Sequence, residues 1–198
     1  MKKADTKKKV LVIVAHPDDE TIWMGGTLLA NKSRWDTTII SLCRKKDSDR
    51  APKFRKVCKI YNATCFISDL DDQENGYFKK ISTRDIKKRV REFVKNKSYD
   101  SVFTHGRNGE YGHQRHKEVH RAVVEMVRNN ELSTEKLLLF DYYKKGKLCC
   151  ANKNSDKFIN LRDVSLLRKK EIIRSFYGFD GKSFEVKCSK RTESFKIR

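Results

Sequence analysis

The pentapeptide HPDDE at residues 16–20 places one imidazole and three carboxylates directly after an apolar run, VLVIVA at residues 10–15. Neutral imidazole and carboxylate are preferred ligands of zinc, and a catalytic zinc keeps three protein ligands and one open position for water. His16 and Asp19, at the end of a strand, can both turn toward one ion. Asp18 beside them could take a proton from metal-bound water, whose pKa the ion lowers. These residue types therefore indicate a hydrolytic metal site.

A second cluster holds four of the five histidines within sixteen residues, in the segment HGRNGEYGHQRHKEVH. Either His113 or His116 can complete a three-ligand set, and the one that does not bind metal can face the substrate as an acid or electrophile. His120 lies four residues after His116 on one helical face, so we expect it to pack or to support a ligand. The pattern leaves His105, at the end of a strand, open between binding the metal and such a supporting role. It assigns no role to Glu110.

Helix capping is the structural alternative for the first cluster. Asp18 or Asp19 could cap the helix that follows, and Glu20 would be favourable in its first turn. Capping does not account for the second cluster, however, so the metal hypothesis explains more of the sequence.

Elements of an α/β fold surround both clusters. Apolar, β-branched runs predict strands at residues 10–15, 37–43, 64–70, 101–105 and 136–143. Helical spacing predicts helices at residues 21–32, 52–61, 83–97, 114–128 and, after a hairpin around Gly146, 161–176. This alternation predicts a Rossmann-like three-layer α/β/α sandwich with a mostly parallel sheet. Ligands bind such sheets at the carboxyl ends of the strands, where both clusters lie.

These motifs resemble one known family. AHPDDE, the pair Gly25-Gly26 and the downstream GEYGHQRH are similar to the PIG-L/LmbE family of zinc-dependent N-acetylglucosaminyl deacetylases, over about residues 9–128. The resemblance implies that His16, Asp19 and His116 bind Zn²⁺. Fe²⁺ could occupy the same ligands.

The resemblance also implies roles for further residues. Asp18 matches the general base, His113 the histidine that stabilises or protonates the reacting group, and Tyr111 a tyrosine that polarises the amide carbonyl. Arg55 matches the substrate-binding arginine of the second helix, although Arg50 competes for that position. Many members have proline after the first histidine of H-x-x-H, where this chain has glutamine.

Composition limits the remaining possibilities. The 198 residues predict a single domain over 1–198, with 1–8 loosely structured, and the residues after 143 receive no role. Six cysteines without a C-x-x-C pair, and no signal-peptide pattern, predict free thiols and a cytoplasmic location. No apolar run approaches the roughly 20 residues that span a bilayer.

The formal charge of +20 is the remaining feature of the composition. It could attract nucleic acid, an anionic membrane or an acidic substrate, but we favour a Lys-rich solvated surface because no nucleic-acid module is recognised. Gly25-Gly26 lacks the G-x-G-x-x-G pattern, and the GKS at residues 181–183 lacks the upstream glycine of a P-loop.

The sequence thus predicts a metal-dependent hydrolase that removes acetyl from an N-acetylated amino sugar by zinc-activated water. An amidase for a non-sugar amide, and a non-catalytic polyanion-binding protein on the same fold, are the alternatives. The expected partner is the small sugar substrate, without nucleic acid or a membrane span, and a homo-oligomer is left open.

Overall fold

The computed structural model of the protein describes residues 6–72, 79–94 and 98–198. Its strands are β1 (Lys8–Val14), β2 (Trp35–Cys43), β3 (Ala63–Leu70), β4 (Ser98–Tyr99), β5 (Ser101–Thr104), β6 (Ser133–Thr134), β7 (Leu137–Phe140), β8 (Tyr142–Lys145), β9 (Leu148–Ala151), β10 (Lys157–Asn160) and β11 (Thr192–Ile197). Its helices are α1 (Asp19–Asn31), α2 (Arg50–Ile60), α3 (Thr83–Phe93), α4 (Gly109–Gly112), α5 (Gln114–Arg128), α6 (Asp163–Glu171) and α7 (Phe184–Cys188), and a π-helical turn (Ile172–Phe176) continues α6.

The central sheet has seven strands in the order β10-β11-β7-β5-β1-β2-β3. The strands from β7 to β3 are mutually parallel, and β11 and β10 continue the sheet in antiparallel pairing. Successive side chains of a strand point to opposite faces. Val10 and Val12 of β1 therefore pack with α1 and α2, whereas Leu11 and Ile13 pack with α3 and α5. The predicted three-layer, mostly parallel fold is confirmed.

Most predicted elements are present, with differences at their ends. The run at residues 136–143 divides at Asp141, whose N–H donates to Ser194 of β11, and the chain then enters a separate β8–β9 hairpin around Gly146. Asp141 is the only charged residue between Leu137 and Tyr143, and one charged residue within an apolar run does not by itself predict such a turn. The helix predicted at 83–97 ends at Phe93, and residues 95–97 of that prediction lie outside the described residues. Residues 1–5 of the predicted loose segment also lie outside them, and Lys8 already belongs to β1.

The segment after residue 143 holds α1 in place. The backbone of Met24 (φ −144°) is not helical and interrupts α1. The N–H groups of the residues just after Met24 therefore lie at the start of a second helical half. Glu193 accepts hydrogen bonds from the N–H groups of Gly26 and Thr27, both at 2.8 Å, and neutralises the positive end of that half. Lys169 donates to the same carboxylate at 2.8 Å, and both charged side chains are fully buried.

Gly26 is needed for this packing. A Cβ atom at this position would lie 2.2 Å from the Leu161 side chain. The glycine pair in the sequence therefore lets α1 approach the later part of the chain.

We expect Glu193→Ala to lower the free energy of unfolding by about 3–5 kcal/mol, because it leaves the buried Lys169 ammonium unpaired. Urea unfolding followed by circular dichroism measures this loss. Glu171→Ala is the matched control, since Glu171 pairs with Arg168 at the surface and such a pair contributes about 0–1 kcal/mol. Adding Lys169→Met to Glu193→Ala should recover much of the loss; equal losses for Glu193→Ala and Glu171→Ala would contradict the role of the buried pair.

None of the described helices combines the length and the apolar character that crossing a lipid bilayer requires.

Candidate metal centre

The fold brings the two clusters together because β1 and β5 are parallel neighbours, with Ile13 opposite Thr104. Each cluster follows the carboxyl end of one of these strands, as parallel pairing predicts. The Ala15 N–H donates to His105 Nε2 at 2.9 Å, which ties the two strand ends directly.

Three ligand atoms converge in this crevice. His16 Nδ1 lies 3.2 Å from Asp19 Oδ2 and 3.2 Å from His116 Nε2, and the distance from His116 Nε2 to Asp19 Oδ2 is 3.3 Å. Tetrahedral ligands about 2.1 Å from a zinc ion stand about 3.4 Å apart. The three atoms therefore have the mutual spacing of one face of a zinc tetrahedron, and this buried His/Asp group could hold a metal.

Other groupings of ligand atoms overlap this one. Asp19, His105 and His116 form one, and His16 also groups with His113 and His116. His105 is a poorer ligand because its Nε2 accepts the Ala15 N–H and its Nδ1 donates to Glu110 at 2.9 Å. Both nitrogens of the ring are thus engaged. His105, which the sequence left open, is a supporting residue in this geometry.

Glu110 organises the second cluster. Its Oε2 accepts from Nδ1 of His116 at 2.6 Å as well as from His105, and its Oε1 accepts the Gly106 N–H at 2.7 Å. The His116 tautomer is thereby fixed with Nε2 pointing at the ligand set. Burial alone would raise the pKa of Glu110, but the two histidines lower it to about 2. No spacing in the sequence marks this residue.

Asp72 supports the first cluster in the same way. His16 Nε2 donates to Asp72 Oδ1 at 2.6 Å, so Nδ1 of His16 faces the other ligand atoms. Arg44 binds the second Asp72 oxygen through Nε at 2.8 Å. On the other side, Trp23 Nε1 donates to Asp19 Oδ1 at 3.1 Å. The sequence assigns no role to Asp72, Arg44 or Trp23. Their partners in these hydrogen bonds lie between 4 and 56 residues away along the chain, and no short motif links the two ends of each bond.

Asp18 sits beside the ligand atoms in a backbone conformation that is rare for a residue with a side chain. Its φ of 113° turns the chain between β1 and α1, and such strain persists only where the surroundings enforce it. The Asp18 carboxylate accepts from Arg50 Nη1 at 2.9 Å, and the Arg50 guanidinium lies 4.3 Å from the Phe179 ring centroid. Burial and the neighbouring Asp19 raise the pKa of Asp18 well above its usual value.

A small pocket of about 170 Å³ opens onto this cluster, lined among others by His16, Asp18, Tyr111, His113 and Phe184. The His113 ring centroid lies 4.8 Å from that of His16, and the Tyr111 centroid lies 5.6 Å from that of His113. Burial, with the nearby His116, lowers the pKa of His113 to about 3, and burial raises that of Tyr111. A carboxylate, a neutral imidazole and a protonated phenol thus surround one pocket beside the ligand atoms.

Two other predicted residues lie elsewhere. Arg55 is on the exposed side of α2, near the Cys65 thiol, and is not brought to the pocket; Arg50 is the arginine of α2 that contacts Asp18. His120 lies beneath the cluster, where its Nδ1 donates to the His105 carbonyl at 2.9 Å.

Together these features define a class: an α/β protein with a buried His/Asp group, able to hold a metal, at the carboxyl edge of a mostly parallel sheet. Residues 11–127, more than half of the chain, match the family described as PIG-L: GlcNAc-PI de-N-acetylase. The chain belongs to this family.

The chain is also similar to individual proteins. It is 28% identical over 142 residues to Uncharacterized protein L374 of Acanthamoeba polyphaga mimivirus, an alignment that covers 63% of this chain and 61% of that protein. Two solved structures share the fold. The conserved protein TT1542 from Thermus thermophilus has a TM-score of 0.67 at 17% identity, with 96% of this chain and 94% of that one covered. GalB, the 4-carboxy-2-hydroxymuconate hydratase from Pseudomonas putida KT2440, has a TM-score of 0.61 at 13% identity, with 96% and 95% covered.

Proposed function

We propose that the protein is a metal-dependent deacetylase that removes the acetyl group from an N-acetylated amino sugar. The observation that carries this proposal is the trio of ligand atoms at 3.2–3.3 Å from one another, with the Asp18 carboxylate beside them. Membership of a family described as a de-N-acetylase supports the reaction, and its description names an N-acetylglucosamine conjugate.

His16 Nδ1, Asp19 Oδ2 and His116 Nε2 hold the metal in this proposal. Nitrogen and carboxylate ligands suit Zn²⁺, and Fe²⁺ fits the same set. When bound, the ion supplies Lewis acidity toward the acetyl carbonyl and water. Glu110 and Asp72 orient the two histidines, and Trp23 orients Asp19.

The surrounding side chains carry the proton transfers. Asp18 accepts the proton of the attacking water, and Arg50 fixes the position of that carboxylate. Tyr111 keeps its hydroxyl proton at neutral pH, because its pKa is raised, and donates it as a hydrogen bond to the carbonyl oxygen as charge develops there. Asp18 then passes that proton to the departing amine nitrogen, and His113, whose lowered pKa keeps its imidazole neutral, stabilises the reacting group by donating a hydrogen bond.

The proposed reaction releases acetate and the free amine. Which N-acetylated compounds release acetate therefore distinguishes the rival functions. The likeness to GalB shows the fold alone, and a fold does not fix the reaction. An amidase for a non-sugar amide would use the same residues, whereas a polyanion-binding protein would need no turnover. The zinc-loaded protein should release acetate from at least one N-acetylglucosamine conjugate in a panel that includes N-acetylated amino acids. Acetate from the amino acids alone would favour the non-sugar amidase, and none from any compound would contradict the proposal.

We also propose a cytoplasmic location and a single domain over residues 1–198. All six cysteines are free, which fits a reducing compartment.

We expect Arg50→Ala to lower kcat/KM by about 10–100-fold, because a charge-assisted bond to the proposed base is lost. The measurement is acetate release from the conjugate that the panel identifies. Arg55→Ala, the same change five residues later on α2, is the matched control and should stay within about twofold, as surface substitutions do. The reverse order of effects would restore Arg55 as the substrate-binding arginine.

A further inference from the structure

A second cavity lies at the other edge of the central sheet, where β1, β2, β5 and β7 begin. We call it the amino-edge cavity and define it by the aromatic residues Trp35, Phe103 and Phe195 and the basic residues Lys8, Lys136 and Lys157. Its volume of about 590 Å³ falls among those of small-molecule sites, which run from about 300 to 1,000 Å³. The seven residues of β1 separate it from the metal centre by about 23 Å.

One wall of the amino-edge cavity is aromatic. Trp35 is half-buried, and its ring centroid lies 5.9 Å from that of Phe103, with 36° between the ring planes. Phe195 packs edge-on against Phe103 at 5.4 Å. Phe103 and Phe195 are buried, so they hold the Trp35 indole against a rigid support. A fixed indole at the edge of a cavity offers a flat apolar surface to a planar ligand.

The rim of the cavity is basic. Lys7 and Arg34 join the three defining lysines there, and no described residue of the lining is acidic. Within the described part of the chain, no ion pair joins a carboxylate to Lys7, Lys8, Lys136 or Lys157. Arg34 is held by a 2.8 Å hydrogen bond to Asn31 Oδ1. Several uncompensated cations around a concave surface attract a multiply charged anion.

We propose that the amino-edge cavity binds a nucleoside polyphosphate, with its base against Trp35 and its phosphates among the lysines. A flat aromatic wall and a basic rim match the two halves of such a ligand. The limited volume favours one nucleotide over a nucleic-acid strand. Part of the +20 charge, which composition alone does not explain, then has a specific use. This site is independent of the metal centre and of the proposed deacetylase activity.

Fluorescence titration with ATP tests the site, because the chain has two tryptophans and Trp23 is fully buried at the metal centre. We expect a saturable change in Trp35 emission. Lys136→Glu/Lys157→Glu should weaken ATP binding by at least about tenfold, since it places like charges opposite the phosphates. Lys56→Glu/Lys88→Glu, the same charge change at exposed sites on α2 and α3, is the matched control and should stay within about twofold.

Further titrations separate the two halves of the ligand. Adenosine and tripolyphosphate should each bind at least about tenfold more weakly than ATP, and Trp35→Leu should weaken ATP binding in equilibrium dialysis, where no fluorescence is needed. Saturable ATP binding lost in Lys136→Glu/Lys157→Glu supports the proposal. No binding at millimolar ATP, equal binding by that variant, or equal affinity for tripolyphosphate would overturn it. Tighter binding of single-stranded RNA than of ATP would also overturn it, in favour of a nucleic-acid surface.

Discussion

Replacing Asp18 by asparagine is expected to lower kcat for acetate release by about 10²–10⁴-fold, the usual contribution of a general base. Asparagine keeps the shape of the side chain and an oxygen for Arg50, but it cannot take a proton from water. It also tolerates the left-handed backbone region better than most residues, so the φ of 113° at this position adds little new strain. The loss therefore reports on proton transfer rather than on the fold.

Metal content and a matched control variant show whether the loss comes from the proton transfer alone. Metal content should stay at one ion per chain, because Asp18 is not among the three proposed ligands. Asp49→Asn is the matched control: Asp49 pairs with Lys53 at the exposed end of α2, and its loss should change kcat less than about twofold. Full activity in Asp18→Asn would end the assignment of Asp18 as the base.

The second large effect is expected for His16→Ala/His116→Ala, which removes two of the three proposed ligands. A single carboxylate cannot retain a catalytic zinc, so we expect neither zinc after dialysis nor acetate release. Zinc content is measured by elemental analysis on protein purified without a histidine tag.

His120→Ala is the matched control for this variant. It removes a histidine from the same helix, whose ring faces the His105 carbonyl rather than the ligand set. This control should keep its zinc. Circular dichroism checks that all variants are folded, and a double variant that binds zinc as well as the parent would place the metal elsewhere.

The sequence predicts the sheet well because its strands are buried on both faces. Runs such as VLVIVA are apolar at every position, and the alternation with helices requires parallel neighbours. Once β1 and β5 pair, the segments that follow them must meet at one edge. The convergence of His16, Asp19 and His116 therefore follows from strand order and from the positions of the two motifs along the chain.

The supporting residues are not predictable in this way. Glu110 and Asp72 act through the tautomers of His116 and His16, and these contacts arise only when separate loops fold together. Glu193 caps the second half of α1 from 166 residues away in sequence. A pattern of spacings within one element cannot detect such pairs.

The sequence also does not show which of the two arginines of α2 faces the pocket. Arg50 and Arg55 are five residues apart, which places them about 140° apart around the helix. Only one of them can face the pocket, and the resemblance to the family fits either position. The contact between Arg50 and Asp18 favours Arg50.

The most direct test of a metal-dependent deacetylase is zinc titration of the metal-free protein with acetate release as the readout. Chelator-treated protein should be inactive toward the N-acetylglucosamine conjugate. Activity should rise in proportion to added zinc and level off at one equivalent per chain. Acetate release that persists without metal, or zinc binding at one equivalent that restores no release from any N-acetylated compound, would contradict the account.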